Sequence, residues 1–202
     1  MKTPTLLVAA ALIPLVSACN TPTPARIEAA SAPEPTWVSG ARDVSTSVPP
    51  KLLAVLLGAI QKSGPADAIG VCKDEAPKLA RAASEQTGWQ VRRVSLGNRN
   101  PMAVPDAWER QALEAFDRSQ AAGADPSRLE RWEVVTEGGQ PVRRYMRALP
   151  TQQLCVQCHG PADKLGPGVA ERLAQLYPND RGTGYDVGRI RGAMTLRQPV
   201  RQ

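Results

Sequence analysis

The stretch LCVQCHG, residues 154–160, holds two of the chain's four cysteines and its only histidine. Cys155-Val156-Gln157-Cys158-His159 has the spacing of a c-type haem attachment site. In such a site two thioethers fix the porphyrin vinyl groups, and the adjacent imidazole reaches the iron from one face as proximal ligand. Two other chemistries use cysteine pairs of this spacing. Structural zinc takes four Cys or His ligands, and Cys72 lies far away in sequence. A redox dithiol sits at the start of a helix after a strand. Here no β-rich run abuts the motif, and Gly160-Pro161 follows at once.

The N-terminus places this motif in a compartment. Lys2 supplies a short positive region, and Leu6 to Val16 is an apolar run of about eleven residues, too short and wrongly flanked for a transmembrane helix. It reads as an export signal. Val16-Ser17-Ala18-Cys19 resembles the lipobox of bacterial lipoproteins, in which the cysteine is lipidated and becomes the first residue of the mature chain. Acyl chains would hold the protein to a membrane at about 0.8 kcal/mol per buried CH₂. Asn20 follows the lipidated cysteine, and by resemblance to Gram-negative lipoprotein sorting this favours the outer membrane, facing the periplasm. The alternative is an ordinary secretory peptide cut near Ala18.

Three segments follow: a signal peptide at 1–18, a lipidated flexible tether at 19–49, and a domain at 50–202. The tether is rich in Pro, Thr, Ser and Ala, with Trp37 as its one large aromatic and a candidate for docking onto the domain. The net charge of +6 is spread along the chain. No Lys/Arg cluster is interleaved with aromatic residues, so nucleic acid is not an expected partner. A basic surface favours acidic membranes or acidic redox proteins.

Periodicity and punctuation predict the elements. Helices are expected at Lys51–Gln61, at Ala66–Glu75 (carrying Ile69 and Cys72 on one face), at Pro77–Glu85, and after Pro105, where Trp108, Ala112, Leu113 and Phe116 form a stripe. A short helix follows Pro167. Strands are expected at Trp89–Leu96, Arg131–Thr136, Val142–Ala148 and Ala193–Gln198. Glu137-Gly138-Gly139-Gln140 reads as a hairpin turn, and 178–192 as loop.

Five stretches carry a resemblance: AIGVCKDEAP (68–77), VRRVSLGNRNP (91–101), AWERQALEAF (107–116), CVQCHG (155–160) and YPNDRGTGYDVGRIRGAMTL (177–196). In this order they resemble the bacterial PAS-like c-type haem-binding domain family, formerly a domain of unknown function. The resemblance covers nearly all of residues 50–198. It implies an α/β (α+β) fold, a PAS-like antiparallel sheet flanked by helices, with one covalent haem c. It also implies iron ligation by a histidine, here His159, and a cysteine thiolate, here Cys72. Cys72 is otherwise a cysteine without a partner in an exported protein. Met102, Met146 and Met194 are the rival ligands.

A thiolate stabilises ferric iron and lowers the reduction potential relative to methionine. Lys73, Arg92, Arg93, Arg99, Arg143 and Arg144 are candidates for the haem environment, as partners of propionates or of the surface potential. Asn98, Asn100 and Asp180 are candidates for pinning loops. The expected function is a membrane-anchored redox-responsive or sensing module acting through a redox or signalling partner. A small periplasmic electron carrier is the alternative. Haem enzymology is the weakest reading, because two protein ligands leave no open iron position and no second histidine is present for acid–base work.

Overall fold

The computed structural model describes residues 33–200; the expected signal peptide, Cys19 and the first part of the expected tether lie outside the described residues. The first element, α1 (Thr36–Thr87), is interrupted at Gly64, whose φ of 82° and ψ of 172° are non-helical. A straight helix would set Val38 and Ala83 ~67 Å apart, at 1.5 Å per residue. Instead Val38, Ala41 and Val48 share one buried cluster with Ala83, against which Leu79 packs. The chain therefore folds back at Gly64. Pro65 opens the second arm, where its missing N–H costs nothing.

This corrects the expected boundary between tether and domain. Residues 36–49 are not tether: they form the first helical arm. The Pro, Ser and Thr content masked a stripe of Val38, Ala41, Ser45 and Val48, spaced to fall on one helical face and all buried. Pro77, read as a helix start, lies inside a helical arm, as do Pro49 and Pro50. Trp37 does dock, with ring centroids 6.0 Å from both Trp89 and Trp132. Arg42 ties the same arm to the sheet through Glu130, which also accepts a 2.7 Å hydrogen bond from the Tyr145 hydroxyl.

The sheet has four antiparallel strands: β1 (Gln90–Val94), β2 (Glu130–Glu137), β3 (Gln140–Pro150) and β4 (Ile190–Pro199), in the order β1-β4-β3-β2. Gly138 and Gly139, with φ of 56° and 80°, make the expected two-residue hairpin between β2 and β3. Alternation sorts side chains onto two faces. Val91, Tyr145, Met194 and Leu196 face α1. Val94, Met146, Ala148 and Ala193 face α2 (Ala107–Ala121), which contributes Ala112, Leu113 and Phe116, the stripe expected from sequence. The fold is PAS-like: a mixed α+β domain with helices on an antiparallel sheet.

Beside the α2 face lies a buried ionic network. Asp106 and Glu109 form a capping box at the N-terminus of α2. Glu109 is 2% exposed, and its carboxylate meets Arg92, Arg144 and the Thr195 hydroxyl. Arg144, 4% exposed, also pairs with Asp106 and Glu137. Removing one partner from such a cluster strands the others in low dielectric, at about 3–5 kcal/mol. Glu109→Ala is expected to lower the unfolding free energy by that amount, read as a lower urea midpoint at an unchanged m-value; a loss below about 1 kcal/mol would show that the network does not hold α2 to the sheet.

Candidate functional site

The cysteine-histidine motif is held as one tight turn. A 3-10 turn at Gln153–Cys155 runs into a single helical turn, α3 (Val156–His159). So short a helix leaves its carbonyls without partners inside the helix, and neighbouring segments supply them. Gln157 O accepts from Gly166 N at 2.8 Å, Cys158 O from Arg99 Nη2 at 2.6 Å, His159 O from Tyr185 N at 2.9 Å, and Gly160 O from Gly184 N at 2.8 Å. Four successive carbonyls are thus fixed by four separate donors. The loop expected at 178–192 is the clamp that provides two of them.

The His159 ring is packed at this junction. Its Nδ1 lies 2.7 Å from Gly182 O and 3.1 Å from Arg191 Nε. Burial pushes its pKa well below the ordinary value, and the charges of Arg191, Arg99 and Arg93 push the same way. The imidazole is therefore neutral at neutral pH. With Nδ1–H donating to Gly182 O, Nε2 is the nitrogen left for a metal.

Cys72 sits on the second arm of α1, half-buried and free. Ile69, one turn earlier, packs with Val169 and Leu173 of α4 (Val169–Leu176), and Cys158 rests against the same cluster. Cys158 Sγ is 3.9 Å from Pro65 O, under the reversal of α1. Burial pushes the Cys72 thiol up, while Arg93, Arg99 and Arg191 pull it down and Cys155 pushes it up. Cys158 is likewise raised by burial, and it feels Cys72 and Cys155. Cys72, Cys158 and His159 thus share one electrostatic neighbourhood: Arg99 acts on all three, and Arg93 and Arg191 on Cys72 and His159.

Those arginines are short of counter-charge. Arg99 pairs with Asp180 through two contacts, at 3.0 and 3.1 Å, both side chains being about nine-tenths buried. Arg191, 6% exposed, bonds to Ser95 Oγ at 2.7 Å and Gly97 O at 3.0 Å, and packs over Tyr185. It meets no carboxylate among the described residues. Burial, with Arg93 and Arg99 adding to it, brings its pKa down to about 10, still cationic at neutral pH. The Arg93 side chain makes no hydrogen bond or ion pair among the described residues. Buried charge is normally paired, so this neighbourhood suits an anionic group. A soft sulfur, a neutral imidazole nitrogen and surplus positive charge together fit a haem, which brings propionates and an iron.

Several candidates from the sequence belong elsewhere. Arg92 and Arg144 serve the Glu109 network, and Arg143 bonds to Gln198 and packs over Trp37. Neighbours in a strand point to opposite faces, so only Arg93 of the Arg92-Arg93 pair turns toward Cys72. Lys73 is exposed and lies over the Tyr177 ring at 5.7 Å. Asn98, Asn100 and Asp180 do brace loops: Asn100 caps the 3-10 turn at Pro101–Ala103, and Asp180 accepts from Gly182 N. Met102 is 79% exposed, Met146 is buried on the α2 face, and Met194 lies opposite Arg93 in register. Sequence reasoning missed Arg191, because it stands in a stretch read as loop.

A helix hairpin and a short motif helix on an antiparallel sheet, with cysteines and a histidine gathered beside them, place the chain in the class of PAS-like domains. The sequence model of the Tll0287-like family matches residues 19–199, and the chain belongs to that family. It is similar to the crystal structure of the cyanobacterial haem protein Tll0287, with a TM-score of 0.59 and 26% identity, covering 83% of this chain and 98% of that one. A comparison with functionally curated proteins finds no match.

Arg99 is the cross-brace of the site, since it joins Asp180 to the Cys158 carbonyl. Arg99→Met should leave Asp180 buried without its cation and cost about 3 kcal/mol. Amide hydrogen exchange should rise at residues 180–186; unchanged protection there would mean that the loop is held by its backbone bonds alone.

Proposed function

We propose that this chain is a c-type haem protein carrying one covalent haem on Cys155 and Cys158, with His159 and Cys72 as axial ligands. Tethered by lipid at Cys19 to the periplasmic face of the outer membrane, it acts as a redox-responsive or sensing module through a protein partner. The observation that carries this reading is the shared neighbourhood of His159, Cys72, Cys155 and Cys158, with the family's haem protein as support. The bound haem would supply a one-electron couple. The chain's residues hold the imidazole in one tautomer through Gly182 O, hold the motif rigid through Arg99, and favour the thiolate of Cys72 through three cations.

The sensing reading follows from an imbalance in the ligands. Burial opposes the Cys72 thiolate and the arginines support it. A ferric centre deprotonates a coordinating thiol outright. With haem bound, a lower charge on the iron would leave the burial of the Cys72 sulfur as the force against its charged form. Release of Cys72 would free the second arm of α1 at Ile69–Cys72, next to α4. A redox change would thereby reach the helical surface that a partner can touch.

Expression with a cytochrome c maturation system should yield haem that resists acid–acetone extraction, and Cys155→Ala with Cys158→Ala should abolish this. Cys72→Ala should remove the His/thiolate optical and EPR signature and raise the potential by at least a tenfold change in the ferric/ferrous equilibrium, 59 mV for one electron. Freely extractable haem in the parent protein would refute the covalent reading; an unchanged spectrum and potential in Cys72→Ala would hand the sixth position to a methionine and the function to electron transfer.

The anchor has its own measurement. Growth with a fatty-acid analogue should tag the protein in its native bacterial envelope, and Cys19→Ser should remove the tag. A native protein that stays untagged and leaves the membrane fraction in low-salt buffer would exclude the lipid tether.

A further inference from the structure

His159 Nδ1 has two neighbours with opposite requirements. Gly182 O, at 2.7 Å, accepts, and needs Nδ1 to carry a proton. Arg191 Nε–H, at 3.1 Å, donates, and needs Nδ1 to be bare. A neutral imidazole has one proton to place. A metal bound at Nε2 fixes that proton on Nδ1. The Gly182 bond is then satisfied, and the guanidinium faces an N–H instead of a lone pair.

Arg191 has little room to retreat. Its Nη1 is held by Ser95 Oγ and Gly97 O, and its guanidinium carbon lies 5.0 Å from the Tyr185 ring centroid. On the other side, Nη2 would lie 2.3 Å from a Cβ on Gly182, so any larger residue there would have to move the guanidinium. The charged groups around it are Arg93, Arg99 and Asp180, and Asp180 is already committed to Arg99. A metal-ligating histidine commonly donates to a carboxylate or a carbonyl, which raises its basicity as a ligand. Here the Gly182 carbonyl fills that role, and beside it a fixed positive charge draws electron density away from Nε2.

We propose that Arg191 is the positioning residue on the histidine side of the iron: its guanidinium weakens donation from His159 and favours the ferrous state, against the Cys72 thiolate on the other side. This rests on the haem reading above. The orientation of the ring and the poise of the couple then come from one side chain, since the guanidinium leaves Gly182 O as the acceptor for Nδ1–H among the described residues. The electron comes from or goes to an external one-electron redox protein, and Arg191 itself neither gains nor loses a proton.

The test uses the full-length haem-loaded protein with Arg191→Gln and Arg191→Lys. Glutamine removes the charge and lysine keeps it. In Arg191→Gln the ferric state should gain at least tenfold over the ferrous, a fall of 59 mV for one electron, and the iron–histidine stretching frequency of the ferrous form should rise. Arg191→Lys should restore most of the potential. If Arg191→Gln does not retain haem, Ser95→Ala loosens the guanidinium without removing it, and the potential should move the same way by a smaller amount.

Covalent haem with intact His/Cys spectra and a shift under twofold in both Arg191→Gln and Ser95→Ala would overturn the role of Arg191. So would equal shifts in Arg191→Gln and Arg191→Lys, which would point to packing alone. A parent protein with no covalent haem would instead refute the cofactor reading on which the inference stands, so the two failures are told apart by the parent's own extraction and spectrum.

Discussion

Everything in this domain depends on the reversal of α1 at Gly64-Pro65. A glycine with positive φ followed by a proline is a local device, and its effect is global. It lays the first arm beside the second, so that Val38, Ala41, Val48, Leu79 and Ala83 make one apolar surface for the sheet. It also brings Pro65 against Cys158 and Gly166, where a Cβ on residue 166 would lie 2.7 Å from the proline ring. The bend therefore serves as hinge of the hairpin and as floor of the motif. Cys72 comes within the electrostatic reach of Cys155 because the second arm starts there.

The sheet separates two populations of arginine. Beside the α2 face, Arg92 and Arg144 meet Glu109, Asp106 and Glu137, so charge is matched and the network is structural. Near the motif, Arg93, Arg99 and Arg191 meet one carboxylate, Asp180, so charge is left over. The two regions have similar side chains and opposite electrostatics. Strand alternation makes the division: residue 92 points to one face, and residue 93 to the other. A polar cluster with its charges balanced rigidifies; one with a deficit is shaped for something that brings the missing charge.

Much of this was legible in the sequence, and the failures have physical causes. The four strands, the Gly138-Gly139 hairpin and the stripe of α2 follow from short-range pattern, and the structure has them. The antiparallel strand order β1-β4-β3-β2 is a long-range property that no periodicity contains. The first arm of α1 was hidden because its buried stripe includes Ser45 and is followed by two prolines, which reads as tether. Of the site residues, the motif and Cys72 stood out by residue type. Arginines do not stand out: Arg92, Arg93, Arg143 and Arg144 differ only in the face they take, which requires the register. Arg191 lies just before Gly192, whose φ of 156° lets β4 run close under Val94 O, so its placement is set by a backbone feature invisible in composition.

The clamp on α3 shows what rigid attachment requires. A four-residue helix has almost no stability of its own, yet every carbonyl from Gln157 to Gly160 has a donor from a different part of the chain. Such a turn cannot adjust to a bound group; the groups around it must. Two of them differ in whether they can. Cys72 is held by the packing of one helical arm and loses its charge when protonated. Arg191 is held by Ser95, Gly97 and Tyr185 and keeps its charge. On the proposed ligation, with the histidine side fixed in both position and charge, the thiolate side would be the part that changes with oxidation state. On that same proposal, the asymmetry of the scaffold would direct any redox-linked motion toward α1 rather than toward the motif.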